Sequence, residues 1–111
     1  MADFVIREWT IAAYPGDQAP PHVHHRSDEA FYVLDGQLEV LAGDERRTLG
    51  AGELAVIDAG TVHTFANHGP GDARILVIMT PEVDELIAAL HSGGSAADRA
   101  ATWERYRSSL A

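Results

Sequence analysis

An all-β barrel carrying a helical tail is the fold class that this sequence of 111 residues predicts, and three observations predict it. From residue 4 to about residue 81, short apolar stretches alternate with Gly, Pro and Asp-Gly or Gly-Asp pairs, the pattern of antiparallel strands joined by tight turns. The turns are closely spaced, which favours a barrel or sandwich over an open sheet. Beyond Pro81 the apolar period lengthens to that of a helix.

Strands are predicted over 4–11, 30–34, 38–42, 46–49, 54–57, 63–67 and 74–79, with a further short one around His22-Val23-His24. Turns fall at Asp35-Gly36, Gly43-Asp44, Ala51-Gly52, Ala59-Gly60 and Gly69-Pro70-Gly71, where Gly and Asp tolerate the required backbone angles. A helix starts at Pro81, which suits a first helical turn, continues through Val83, Leu86, Ile87 and Leu90, and stops at Gly93-Gly94. A second helix starts near Ser95, where Ser95 and Asp98 form a capping-box pattern, and runs on with Ala100, Trp103, Tyr106 and Leu110 on one side. Residues 1–81 are thus the barrel and 82–111 are C-terminal helices packed on it in the same domain.

Composition narrows the chemistry. The absence of cysteine removes thiolate metal sites, thiol nucleophiles and disulfides, so a metal must be held by nitrogen and oxygen. A formal charge of -9, from 17 acidic and 8 basic residues, repels phosphate backbones and anionic lipid, and makes nucleic acid and membrane poor partners. The N-terminus lacks a basic stretch followed by a long apolar run, and cytoplasmic residence is the default expectation.

Side-chain parity locates a candidate centre. Residues two apart in a strand share a face, so His22 and His24 project together while Val23 points away. The strand that follows places Glu29, Phe31 and Val33 on one inward side, and His63, Phe65 and Asn67 share a face in a later strand. Three imidazoles and one carboxylate can then surround a single divalent cation and leave coordination positions free. His25 falls on the opposite parity, and Asp58 sits in a turn. Phe31, Val33, Leu54 and Phe65 are assigned to the barrel lining, as core and as an apolar pocket for a small organic ligand. Trp103 and Tyr106 anchor the last helix or close the barrel mouth.

The spacing of these residues has a second meaning. Gly16, five residues, His22, one, His24, four, Glu29, six, Gly36 resembles the first motif of the cupin superfamily. Gly52, five, Asp58, one, Gly60, two, His63, three, Asn67 resembles the second, departing only at Asp58, where the family usually has proline. Fifteen residues separate the two motifs, as in compact bacterial members. The resemblance covers residues 15–81 and leaves the helical tail outside. It implies a small double-stranded barrel of jelly-roll type. It also implies one divalent transition metal per chain, iron, manganese, nickel, cobalt, copper or zinc, on His22, His24, Glu29 and His63.

Residues 30–40 are similar to small cupins often compared with quercetin dioxygenases, which implies a dioxygenase-type oxidoreductase acting on a small oxygen-rich molecule. A non-redox isomerase, lyase or polyketide-cyclase-like enzyme, and a small-molecule-binding module without turnover, stand as alternatives because one fold hosts many reactions. A homodimer through the apolar N-terminal strand is expected, since small barrels of this kind commonly pair through edge strands.

Overall fold

The computed structural model describes residues 3–111. Among them run β1 (Val5–Ile11), β2 (His22–His24), β3 (Glu29–Asp35), β4 (Leu38–Ala42), β5 (Glu45–Leu49), β6 (Leu54–Ile57), β7 (His63–Ala66), β8 (Ala73–Met79), α1 (Pro81–His91), α2 (Ala96–Arg105) and β9 (Ser108–Leu110). The strands form a four-stranded sheet in the order β1-β8-β3-β6 and a five-stranded sheet in the order β5-β4-β7-β2-β9. All described pairings are antiparallel, and the two sheets face each other as a small double-stranded barrel with a helical tail.

Alternation dictates the core. In β3 the odd-numbered residues Phe31 and Val33 are essentially inaccessible, and in β8 Ile75, Val77 and Met79 are their counterparts. Leu38, Val40 and Leu49 answer them from the five-stranded sheet, and Phe31 meets Phe65 across the gap with ring centroids 5.2 Å apart. Each fully buried aliphatic or aromatic side chain contributes roughly 1.5–3 kcal/mol of hydrophobic stabilisation.

Two features lock the ends of strands. Gly36 adopts φ 85° in the turn after β3, and a Cβ there would lie 2.6 Å from the Asp72 carbonyl oxygen, so only glycine fits. Asn67, 2% exposed, donates to the Ile11 and Gly71 carbonyls and accepts from the Gly69 N–H, stitching β1 to the loop after β7.

The helices begin as the sequence predicts. Thr80 caps α1 by accepting from the Val83 N–H, Pro81 opens its first turn, and Val83 and Leu86 are buried. The Ser95–Asp98 capping box opens α2 with two reciprocal bonds of 3.1 Å.

Two expectations are corrected, and a third is refined. The last helix does not run to Leu110: it stops at Arg105, Arg107 turns the chain at φ 53°, and Ser108–Leu110 become β9, paired with β2. The edge of β2 otherwise leaves backbone donors and acceptors without partners, and strand pairing there outweighs the helical period of the tail. Leu54 does not line the barrel; it is 46% exposed, because β6 turns Ala55 and Ile57 inward. Val23, predicted to point away from the histidine pair, is nevertheless buried, so the outer side of β2 is covered too.

Candidate metal centre

β2 and β7 are antiparallel neighbours with His22 directly opposite His63, so both imidazoles rise on the same side of the five-stranded sheet. His24 follows two residues along β2. Ring centroids are separated by 4.4 Å for His22 and His63, and by 5.0 Å for His24 with each of the others. One potential ligand atom from each of the three lies within 4.8 Å of the other two. The first residue of β3 brings Glu29 from the facing sheet, its Oε1 3.2 Å from His63 Nε2. All four side chains are buried, at 7% or less exposed.

The hydrogen bonds at the rear of the rings decide which nitrogen is free. His22 Nδ1 lies 2.7 Å from the Pro20 carbonyl and His63 Nδ1 lies 2.9 Å from the Thr61 carbonyl. A carbonyl only accepts, so both Nδ1 atoms carry the proton. His24 Nδ1 lies 2.7 Å from Ser108 Oγ, and that hydroxyl is in turn directed at the Tyr106 carbonyl at 3.2 Å. With its own proton so committed, Ser108 Oγ accepts from His24 Nδ1–H. All three neutral imidazoles therefore present an Nε2 lone pair, the arrangement in which ligating histidines are held by their outer nitrogen.

This tautomer makes the contact between His63 Nε2 and Glu29 informative. A neutral His63 there sets a lone pair against a carboxylate, and the contact is favourable only with positive charge between them, a proton or a metal ion. Burial weighs against the protonated alternative at the neighbouring rings. Desolvation pushes His22 below the usual imidazole range, and pushes His24 down to about 3, with further repulsion from His22 and His63. Neutral nitrogen donors beside one carboxylate fit a divalent first-row transition metal and leave its identity open.

The other sequence candidates separate cleanly. His25 is exposed, its Nε2 2.9 Å from Ser109 Oγ, and takes no part in the cluster. Asp58 is an exposed turn residue whose carbonyl accepts from the Thr61 N–H. Phe31 and Val33 belong to the packed core, while Phe65, partly buried, shares the His63 face and stacks on Trp9 at 6.3 Å.

One residue at the cluster was not identified from the sequence, Ser108, which holds His24; Trp103, expected to anchor the last helix or close the barrel mouth, places its indole centroid 5.3 Å from that of His22. A cavity of about 400 Å³ lies along α2 and β9, walled by His25, Ala100, Trp103, Arg107, Ser108 and Leu110. No sequence signal pointed to Ser108, because its contact with β2 spans 84 positions of chain. Among the described residues no helix is long and apolar enough to cross a membrane.

Comparison with known proteins agrees with this geometry. The Cupin_2 family, described as a cupin domain, matches residues 9–79. Germin-like protein 1-1 of Oryza sativa subsp. japonica is 36% identical over 74 residues, 62% of this chain and 34% of the relative. Quercetin 2,3-dioxygenase of Bacillus subtilis is 46% identical over 50 residues, 45% of this chain and 15% of the relative. The chain thus spans about a third or less of the length of these relatives. The crystal structure of a cupin-2 domain containing protein from Shewanella frigidimarina superposes with a TM-score of 0.61 at 28% identity, covering 72% of each chain. With the match extending over most of the barrel and the histidines of both motifs gathered at one point inside it, the chain belongs to the cupin family.

Proposed function

We propose that the chain is a metal-dependent oxidoreductase of the dioxygenase type, acting on a small oxygen-rich organic molecule, with His22, His24, Glu29 and His63 as ligands to one divalent transition metal. The observation that carries this reading is the gathering of three buried imidazoles within reach of one ion, each held from behind at Nδ1, with the Glu29 carboxylate against His63. The local identity to a quercetin 2,3-dioxygenase supports the reaction class.

A metal held there supplies Lewis-acid polarisation of a bound oxygen and, when redox-active, electrons to dioxygen. The chain's own residues supply the rest. Pro20, Thr61 and Ser108 hold the imidazoles in one orientation, which lowers the reorganisation needed on ligand binding. The apolar packing of Phe31 and Phe65 on the inner side of the cluster excludes water from the barrel interior. Glu29, buried against His63, brings the one carboxylate charge that offsets a dication.

A non-redox isomerase or lyase needs a side-chain base free to move a proton. Of the two candidates, Asp58 is an exposed turn residue and His25 lies in the wall of the cavity along α2 and β9, outside the histidine cluster. Oxygen uptake with flavonols, catechols and diketones, on protein loaded in turn with iron, manganese, nickel, cobalt, copper and zinc, tests it. Consumption with a redox-active metal and none with zinc is the expected result. Turnover with zinc under anaerobic conditions would instead select the isomerase or lyase, and tight binding of a metabolite with no product a binding role.

A homodimer belongs to the same proposal. The outer face of the four-stranded sheet carries Ile6, Ile78, Ala30 and Val56 in one cross-strand row and Leu76, Tyr32 and Leu54 in the next. Ile6, Leu54 and Val56 are 61%, 46% and 59% exposed. Glu8 begins the second row opposite Leu76 and is paired with Arg74 of the row beyond, so the seven apolar and aromatic residues form a patch bordered at one corner by a neutralised ion pair. Self-pairing of that face about a twofold axis places apolar surface on apolar surface.

A further inference from the structure

The three histidines are held in two different ways. His22 and His63 each bond the carbonyl two residues before them, Pro20 and Thr61, so the loop that leads into the strand sets the ring. His24 has no such local support, since the residue two before it is His22, within the same strand. Its outer nitrogen is held by Ser108, which strand pairing places directly opposite. Ser108 lies outside residues 9–79, the part of the chain that matches the family.

We propose that the C-terminal tail is a working part of the metal centre, with Ser108 the positioning residue that fixes the tautomer and orientation of His24. The proposal rests on the metal reading above and adds to it a residue from outside the barrel motifs.

The surrounding structure is arranged to deliver that hydroxyl. Arg107 reverses the chain at φ 53°, its guanidinium 2.7 Å from Glu82 of α1, and its carbonyl accepts from the His25 N–H at 2.8 Å. At the other end of β9 the Ala111 N–H donates to the Pro21 carbonyl at 3.0 Å. Both ends of the pairing are thereby tied to the residues flanking β2, which fixes the register. A slip of one residue would turn Ser108 to the opposite face, away from His24 Nδ1–H. Ser108 is 3% exposed, so water does not readily replace it. Trp103 of the same tail lies against His22, so two of the three histidines touch it.

The test titrates zinc and cobalt(II), against a competing chelator, into wild-type protein and the variants Ser108→Ala, Ser108→Thr, Ser108→Val and Ser109→Ala. The imidazole nitrogen resonances are recorded alongside. Threonine and valine have nearly the same shape and differ in the hydroxyl, and Ser109 lies on the same strand but bonds the exposed His25. The expected result is wild-type binding at one ion per chain, an affinity loss of roughly 10- to 100-fold for the alanine and valine variants, and near-normal affinity for the threonine and Ser109 variants. His24 should show Nδ1–H in wild type and a tautomer mixture in Ser108→Val. Equal affinity of the threonine and valine variants, or a wild-type His24 protonated on Nε2, overturns the role of Ser108 while leaving the metal site standing. Failure of the wild type to bind either ion removes the metal reading and this inference with it.

Discussion

At the scale of single residues, the donor set invites three measurements. Replacing His24 or His63 with alanine should abolish stoichiometric metal, read by elemental analysis of protein purified without a nickel column; full occupancy in either variant would dissolve the proposed centre. A second follows from burial. The folded state holds His22 and His24 below the ordinary value of 6.5, His24 at about 3, chiefly because a charged ring is poorly solvated there. A group with a depressed value binds its proton more readily when unfolded, so the metal-free protein should keep its full stability above about pH 6.5. It should then lose about 1.4 kcal/mol per pH unit per histidine as the pH falls toward the folded values. Melting temperatures of the metal-free protein that stay level from pH 7 to 4 would contradict this. A third concerns Trp103: its indole adjoins His22, so cobalt(II) or copper(II) should quench tryptophan fluorescence, and Trp103→Phe should remove most of that quenching.

At the scale of elements, the turns and caps carry more of the stability than their size suggests. Gly36→Ala forces a Cβ against the Asp72 carbonyl at a left-handed backbone angle, and a destabilisation of about 2 kcal/mol or more is expected by denaturant unfolding. Thr80→Ala removes the cap of α1 together with a bond to Ser27, and should cost about 1 to 2 kcal/mol. The tail is a different kind of element. No residue of α2 is buried, so its position depends on its contacts with β9 and α1 and on Trp103, and its amides should exchange with solvent well before those of β3 and β8.

For the whole molecule, the two sheets differ in what they do with their faces. The five-stranded sheet carries the histidines inward and accepts the tail at its edge. The four-stranded sheet closes the core from the other side and leaves an apolar patch, around Ile6, Val56 and Leu54, on its outer face. If that face pairs two copies, Val56→Glu should convert a dimer to a monomer at micromolar concentration by light scattering, with the barrel still folded by circular dichroism. A wild-type monomer under the same conditions would refute the pairing.

Much of this arrangement was legible before any coordinates. Strand alternation set which of Glu29, Phe31, Val33 and His63 turn inward, because a period of two leaves no other choice once one face is apolar. The spacing of His22, His24, Glu29 and His63 pointed to one centre for the same reason. Tertiary structure alone decided the rest. Parity inside β6 could not be read from Leu54-Ala55-Val56-Ile57, where every residue is apolar, and only pairing with β3 turned Ala55 and Ile57 inward and Leu54 out. The end of the chain has a helical period, yet its last residues form a strand, because the open edge of β2 offers hydrogen bonds that a continued helix would leave unmade. That pairing, and nothing local to either segment, is what brings Ser108 to His24.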